Sequence, residues 1–282
     1  MTPPDRPRGR GRRIESSPVV SLAEAAGVPL LHPPKEGGAK SAAFKASIAA
    51  HKPDVIVVAS FGEILDAEFL DLALVLNVHG SLLPRHRGAS PVQAALLAGD
   101  TETGVTVQRV VLALDAGDIL HQKRCAIEPD DTADSLFERL AKLGAEALPE
   151  ALQLVESGDA SYTPQDPAGV TVCRKLKKDA GQIDWARPAA DLERLVRAMA
   201  PWPSAITTLA DGRTLKIHSA RIAAPAEDAA PGTLLQAGPR LIVATGSGAL
   251  ELESVQVAGK RAMPAADFLR GNPLEAGTRL GT

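Results

Sequence analysis

Leu76-Asn77-Val78-His79-Gly80-Ser81-Leu82-Leu83-Pro84 is the stretch from which the rest of this chain can be read. An apolar run ends by presenting an amide, an imidazole, small residues and a proline in succession. Asn77 and His79 stand two residues apart, so on an extended strand their side chains leave the backbone on one face. Asp115 follows after a further strand and turn. The carboxyl end of a parallel strand is where open α/β sheets build their sites. The amide donates to a developing oxyanion, the imidazole moves a proton, and the carboxylate fixes the imidazole tautomer. These are the parts of an acyl transfer that needs no covalent enzyme intermediate. Each residue alone has a plainer reading: a satisfied core histidine, a turn-forming asparagine, a turn-capping aspartate. Their spacing, with Ser81-Leu82-Leu83-Pro84 behind them, favours the catalytic one.

Outward from this stretch, Asp54-Val55-Ile56-Val57-Val58-Ala59 is a continuous apolar strand of the kind covered on both faces in a parallel sheet. Further strands are predicted at 29–32, 74–79, 103–112 and 119–127, with a turn at 115–118. Helices are predicted at 19–26, 40–51, 66–71 and 90–98. In the second, Phe44 and Ile48 lie one turn apart; the fourth has Pro91 in its first turn. A long helix is predicted from Thr132, its N-cap, to about Ser157, with a break at Pro149. This alternation implies an α/β, Rossmann-like, mostly parallel sheet. Residues 163–180 turn polar, with Pro164, Pro167 and several cations, and read as a linker. A helix at 188–200 and strands at 205–209, 214–222, 232–236, 240–245 and 249–257 then imply a small β-barrel of OB-like type. The domains expected are 1–162, 163–180 and 181–282. Trp202, between Pro201 and Pro203, is read as core.

With 282 residues the chain has room for two domains. No apolar run approaches the roughly 20 residues of a membrane span, and the Pro- and Arg-rich start does not read as a secretory signal. Cys125 and Cys173 are far apart, which suits a reduced, cytoplasmic setting. The histidines lack metal-ligand spacing, so no metal is expected. The net charge of −3 hides local basic clusters. Arg6, Arg8, Arg10, Arg12 and Arg13 form one, in a stretch whose prolines and glycines disfavour regular structure. Arg174, Lys175, Lys177 and Lys178 form another, and Lys260 and Arg261 a third. Basic patches on an acidic body suit an anionic partner met at a defined place, although each cluster also reads as a solvated surface.

Asn77 to Pro84, then Arg87-Gly88 and Pro91, then Asp115-Ala116-Gly117-Asp118, resemble the folate-dependent formyltransferase family. Pro4-Asp5-Arg6-Pro7, Ile183-Asp184-Trp185, Pro201-Trp202-Pro203 and Ala258-Gly259-Lys260-Arg261-Ala262-Met263 resemble the branch that acts on methionyl-tRNA. The resemblance implies 10-formyltetrahydrofolate as formyl donor and the methionyl group on initiator tRNA as acceptor, in translation initiation, by a monomeric enzyme. It carries Asn77, His79 and Asp115 over as catalytic and Ser81, Leu82, Leu83 and Pro84 as part of the folate-binding loop, which Arg87-Gly88 supports. It implies RNA contact by Arg6, Arg8, Arg10, Arg12, Arg13, Lys175, Lys177 and Lys178. The family usually has Ala-Tyr-Gly where this chain has Ser60-Phe61-Gly62, and an aromatic residue is common at His86. Family members begin with a strand, a Gly-Thr-Pro turn and a helix ahead of the basic loop. Met1 stands almost at that loop, so one βα unit, roughly 30 residues as such units go, is expected to be missing, through a misplaced start or because the chain is a fragment. Two other readings fit the same residues: a formyltransferase for an amino sugar or nucleotide amine, and an inactive RNA-binding remnant.

Overall fold

The computed structural model describes residues 7–8, 13–14, 17–224 and 229–281. The chain runs β1 (Pro7–Arg8), β2 (Arg13–Ile14), α1 (Pro18–Ala25), α2 (Ala42–Ala49), β3 (Val55–Ala59), α3 (Ala67–Leu70), β4 (Leu74–His79), β5 (Arg87–Gly88), α4 (Pro91–Ala98), β6 (Glu102–Arg109), β7 (Ile119–Ala126) and α5 (Ala133–Ser157). There follow β8 (Val172–Cys173), α6 (Ala189–Ala198), β9 (Ala205–Thr208), β10 (Thr214–Ala223), β11 (Leu234–Ala237), β12 (Leu241–Ala244), β13 (Ala249–Val257), β14 (Met263–Pro264) and α7 (Ala265–Gly271). Two compact units emerge: residues 1–79, 106–121 and 148–165, and residues 80–105, 122–147 and 166–282.

In the first unit β1 pairs antiparallel with β2. The start of the chain is therefore not wholly irregular. Pro7, which cannot donate to a ladder, is tolerated in so short an edge pair. Helix α1 opens with the Ser17 side chain accepting from Val20 N (3.3 Å) and with Pro18 in its first turn. No strand forms at 29–32, where Pro29 lacks an N–H and Pro33-Pro34 follow. Strands β3 and β4 are parallel, Val55 opposite Leu74 through Ala59 opposite Val78. Strand β4 is antiparallel to β6, from Leu76 opposite Arg109 to His79 opposite Thr106, so the sheet is mixed. Its order is β3-β4-β6-β7, which leaves β3 at an edge. The expected cover on both faces of β3 is not met: Ile56 is buried, but Val57 is 37% exposed. Phe44 and Ile48 of α2 pack with Ile56, Leu65, Phe69 and Val75 into one apolar cluster. Thr163, at the head of the predicted linker, exchanges backbone hydrogen bonds with Ile119 of β7 (2.8 and 2.9 Å).

In the second unit β5 pairs in parallel with β8. A Cβ at Gly88 would lie 2.1 Å from the Cys173 carbonyl oxygen, so only glycine permits this approach. Helix α5 starts at a reciprocal cap, Ser135 N donating to Thr132 Oγ1 (3.3 Å) and Thr132 N to Ser135 Oγ (3.0 Å). It does not break at Pro149. The proline forfeits one bond to the Ala145 carbonyl, and burial of Ala147 and Ala151 on either side holds the helix through it.

The remaining strands form an antiparallel sheet of order β11-β12-β13-β10-β9, with β14 beside β13. Leu215, Ile217, Leu234, Leu241, Val243, Leu250 and Val255 are fully buried. Leu192, Leu195 and Val196 of α6 and Phe268 of α7 are buried too. The chain end joins both sheet edges, Leu280 N donating to Gly232 O and Gly281 N to Thr208 O (both 2.8 Å). That closure gives the sheet its barrel character. Trp185 is buried and its Nε1 donates to Thr207 Oγ1 (3.0 Å). Trp202 is 54% exposed, contrary to its reading as core: flanking prolines hold it in the turn after α6, on the solvent side. Among the described residues no helix is long and apolar enough to cross a membrane.

Candidate active site

The three residues singled out in the sequence meet in the first unit. Asn77 and His79 lie on β4 at alternate positions, so the pleat turns both to one face. Asp115 stands in the turn ahead of β7 at φ +48°, a left-handed conformation that aspartate tolerates better than most residues. Asn77 Nδ2 donates to Asp115 Oδ1 (3.4 Å), and His79 Nδ1 lies 3.7 Å from Asp115 Oδ2. His79 is buried, with 7% of its side chain exposed, and the Asp115 side chain is 12% exposed. An amide, an imidazole and a carboxylate thus share a site poor in water, where their interactions are stronger than at a surface. The carboxylate is set to hold a protonated imidazole, and the amide retains a second hydrogen for an incoming oxygen.

Two residues that sequence reasoning missed complete this cluster. Gln108 of β6 stands directly opposite Asn77 in the ladder, and its Nε2 donates to the same Asp115 oxygen (3.0 Å). Gln165 donates from Nε2 to the backbone carbonyls of Asp115 (2.8 Å) and Gly117 (2.7 Å) and to Gln108 Oε1 (3.2 Å). A signal was present in the sequence: Thr106 and Gln108 alternate with Val105 and Val107, and both are buried.

Ser81, Leu82, Leu83 and Pro84 lie in the second unit. Ser81 is fully buried, and its Oγ donates to the Arg85 carbonyl (2.6 Å). Gln122 Nε2 donates to the Leu83 carbonyl (3.0 Å). Leu82, Leu83, Pro84, Arg85 and His86 line part of a cavity of about 600 Å³. His86 is buried, with Nε2 2.7 Å from Asp100 Oδ2 and its backbone N–H donating to Thr171 Oγ1 (2.8 Å). Lys175, Lys177 and Lys178 are exposed. Arg8 and Arg13 fall in the β1/β2 pair, and Arg6, Arg10 and Arg12 lie outside the described residues. Burial pushes the Cys125 thiol up from its ordinary pKa, which disfavours the thiolate a nucleophile requires. Among the described residues, no group of three His, Cys, Asp or Glu side chains is placed to hold a metal ion.

Comparison with known proteins gives the family. Residues 1–152 match the family described as formyl transferase, and residues 175–273 match the formyl transferase C-terminal domain. The methionyl-tRNA formyltransferase of Myxococcus xanthus is 45% identical over 99% of this chain and 88% of its own length. That of Methylococcus capsulatus is 46% identical over 100% of this chain and 90% of its own length. Among solved structures, WlaRD, a sugar 3N-formyl transferase crystallised in the presence of dTDP and 5-N-formyl-THF, shares the fold at a TM-score of 0.63 and 16% identity, over 86% of this chain and 82% of that one. The chain belongs to the formyl transferase family, in the group of the methionyl-tRNA formyltransferases.

Proposed function

We propose that this chain transfers the formyl group of 10-formyltetrahydrofolate to the amino group of initiator methionyl-tRNA, as a cytoplasmic monomer, with Asn77, His79 and Asp115 as its catalytic residues. The observation that carries this reading is the approach of the Asn77 amide and the His79 imidazole to one carboxylate, at 3.4 and 3.7 Å. Folate supplies the formyl carbon as a co-substrate. The amine attacks that carbon in its neutral form, and negative charge gathers on the formyl oxygen. Asn77 Nδ2, one hydrogen committed to Asp115, gives the other to that oxygen. Such a donor typically contributes about 10²–10³ in rate. His79 accepts the proton the amine sheds and returns it to the departing folate nitrogen, with Asp115 stabilising the imidazolium in between. No enzyme nucleophile enters.

Ser81, Leu82, Leu83 and Pro84 form part of the folate loop in this reading. Arg6, Arg8, Arg10, Arg12, Arg13, Lys175, Lys177 and Lys178 meet the tRNA, where arginine pairs with phosphate and stacks on unpaired bases. The catalytic domain reaches Gln165, within the stretch read as a linker, and the OB-like domain beyond is a second tRNA-binding element. Single-turnover formyl transfer to charged initiator tRNA tests the assignment. In His79→Ala the rate of the chemical step falls about 10²- to 10⁴-fold while the tRNA dissociation constant holds. An equal loss of tRNA affinity counts against the role of His79. Transfer to a free amino sugar and not to the tRNA rejects the acceptor.

A further inference from the structure

We infer that Gln108 and Gln165 are positioning residues, a relay of two side-chain amides that fixes the orientation of the Asp115 carboxylate toward His79. The inference rests on the reading of Asp115 as catalytic.

The relay starts from groups whose chemistry is fixed. The backbone carbonyl oxygens of Asp115 and Gly117, 2.8 and 2.7 Å from Gln165 Nε2, can only accept. The end of Gln165 that meets them is therefore its NH₂. That same nitrogen lies 3.2 Å from Gln108 Oε1, so one of its two hydrogens is shared between a turn carbonyl and Gln108, which turns its oxygen toward it. The Gln108 NH₂ is left facing Asp115 Oδ1 at 3.0 Å. Reversing Gln108 would set donor against donor toward Gln165 and oxygen against oxygen toward Asp115, and reversing Gln165 would turn its oxygen onto acceptors. Gln108 is 1% exposed and Gln165 9%, so water is a poor substitute for either partner.

The outcome is directional. Two amides from neighbouring strands, Asn77 of β4 and Gln108 of β6, converge on Oδ1, and Oδ2 is the oxygen turned toward His79. Both amides are neutral. They aim the carboxylate and leave its charge to act on the imidazole. Gln165 also ties two carbonyls of the turn that carries Asp115, so it governs the backbone and, through Gln108, the side chain.

A double-mutant cycle separates this relay from a merely structural role. In Gln108→Met, kcat falls about ten- to hundredfold, the worth of one hydrogen bond to a charged group, while both KM values stay within about twofold. Gln165→Met alone gives a comparable loss. In the Gln108→Met background it costs several-fold less than in the wild type, because only its hold on the two turn carbonyls is left to lose. Losses that multiply, a kcat that holds, or an effect confined to KM overturns the relay. Circular dichroism and thermal unfolding check folding. If Gln108→Met fails to fold, Gln108→Glu keeps the volume and turns an acceptor toward Asp115; it loses at least as much kcat, and wild-type kcat in it overturns the inference. Asp115→Asn is measured beside them. If Asp115→Asn keeps full activity, the site reading itself fails. If it is inactive while both Gln108 variants turn over normally, only the relay fails.

Discussion

Two shielded carboxylates in this molecule are held in opposite ways. Asp115 receives hydrogen bonds from the neutral amides of Asn77 and Gln108 and faces the imidazole of His79. Glu251, on β13, is gripped by two guanidinium groups: Arg221, its cross-strand partner on β10 (Nε to Oε2, 3.0 Å), and Arg240, which binds both carboxylate oxygens. Their side chains are 12% and 8% exposed, so burial alone does not distinguish them. The partners do. A guanidinium keeps its charge at any ordinary pH, and the hydrogen bonds from Arg240 and then Arg221 push Glu251 down to about 2, against the desolvation that opposes them. Neutral amides orient a carboxylate without cancelling it. The carboxylate that joins strands is saturated by permanent charge. The one proposed to serve proton transfer faces a partner whose charge can change.

The strongest way to break this contrast is to neutralise each carboxylate without changing its shape. Asp115→Asn is expected to lower kcat about 10²- to 10⁴-fold, since it removes the counter-charge of His79 and presents an NH₂ where an acceptor is needed. Its thermal midpoint should move by no more than about 2 °C, since the remaining oxygen still accepts from Asn77 and Gln108. Steady-state kinetics beside a melting curve decides. A large fall in melting temperature with kcat intact would make Asp115 a structural group like Glu251.

Glycines extend the comparison to the backbone. A Cβ on Gly117 would stand 1.7 Å from the Arg109 carbonyl oxygen, and one on Gly246 would stand 1.8 Å from that of Ala186. Each glycine lets two backbone segments touch, and alanine at either must push them apart. Gly117→Ala and Gly246→Ala are each expected to cost about 3 kcal/mol, the upper end for overpacking because the obstacle is backbone. Only Gly117→Ala should also reduce kcat, because its turn carries Asp115 and its carbonyl is one that Gln165 holds. Equal kcat losses in the two variants, measured well below their melting temperatures, would erase the distinction between the regions.

The same contrast explains what the sequence made legible. The barrel strands were readable almost to the residue because apolar side chains alternate there and bury their own face. Asn77, His79 and Asp115 were readable because polar groups close an apolar run in a recognisable order. Gln108 and Gln165 were not. A buried polar residue is explained by its partner, and these partners lie 57 residues apart. Strand β6 was foreseen from its alternation, but nothing in that alternation assigned its polar residues a partner. Gln165 fell in a polar stretch that read as linker. Trp202 failed for the converse reason: its size argued for burial, and the prolines that hold it in an exposed turn outweighed it. Pro149 was expected to break a helix that tertiary packing carries through it.

Glu251→Gln gives the smallest effect and sharpens the comparison most through pH. The folded carboxyl titrates near 2, below its ordinary value of 4.5. A depressed folded pKa gives stability that is fully present above the unfolded value and lost as pH falls through the folded one. The full shift overstates the gain, because Arg221 and Arg240 are 61% and 45% exposed and therefore screened by water. Replacing the ionised carboxylate by a neutral amide should cost about 2 kcal/mol at pH 7, the worth of charge-assisted hydrogen bonds. The difference between wild type and Glu251→Gln in denaturant unfolding should hold from pH 7 to about 5, shrink through pH 4 and 3, and approach zero near 2. Other carboxylates in salt bridges, Asp131 with Arg139 among them, titrate in both proteins and cancel from that difference. The formyl transfer rate should stay at its wild-type value, since Glu251 serves the sheet alone. A stability gap that persists unchanged down to pH 2.5 would mean that the two arginines hold Glu251 by shape and not by its charge, and the opposition between the two carboxylates would lose its electrostatic basis.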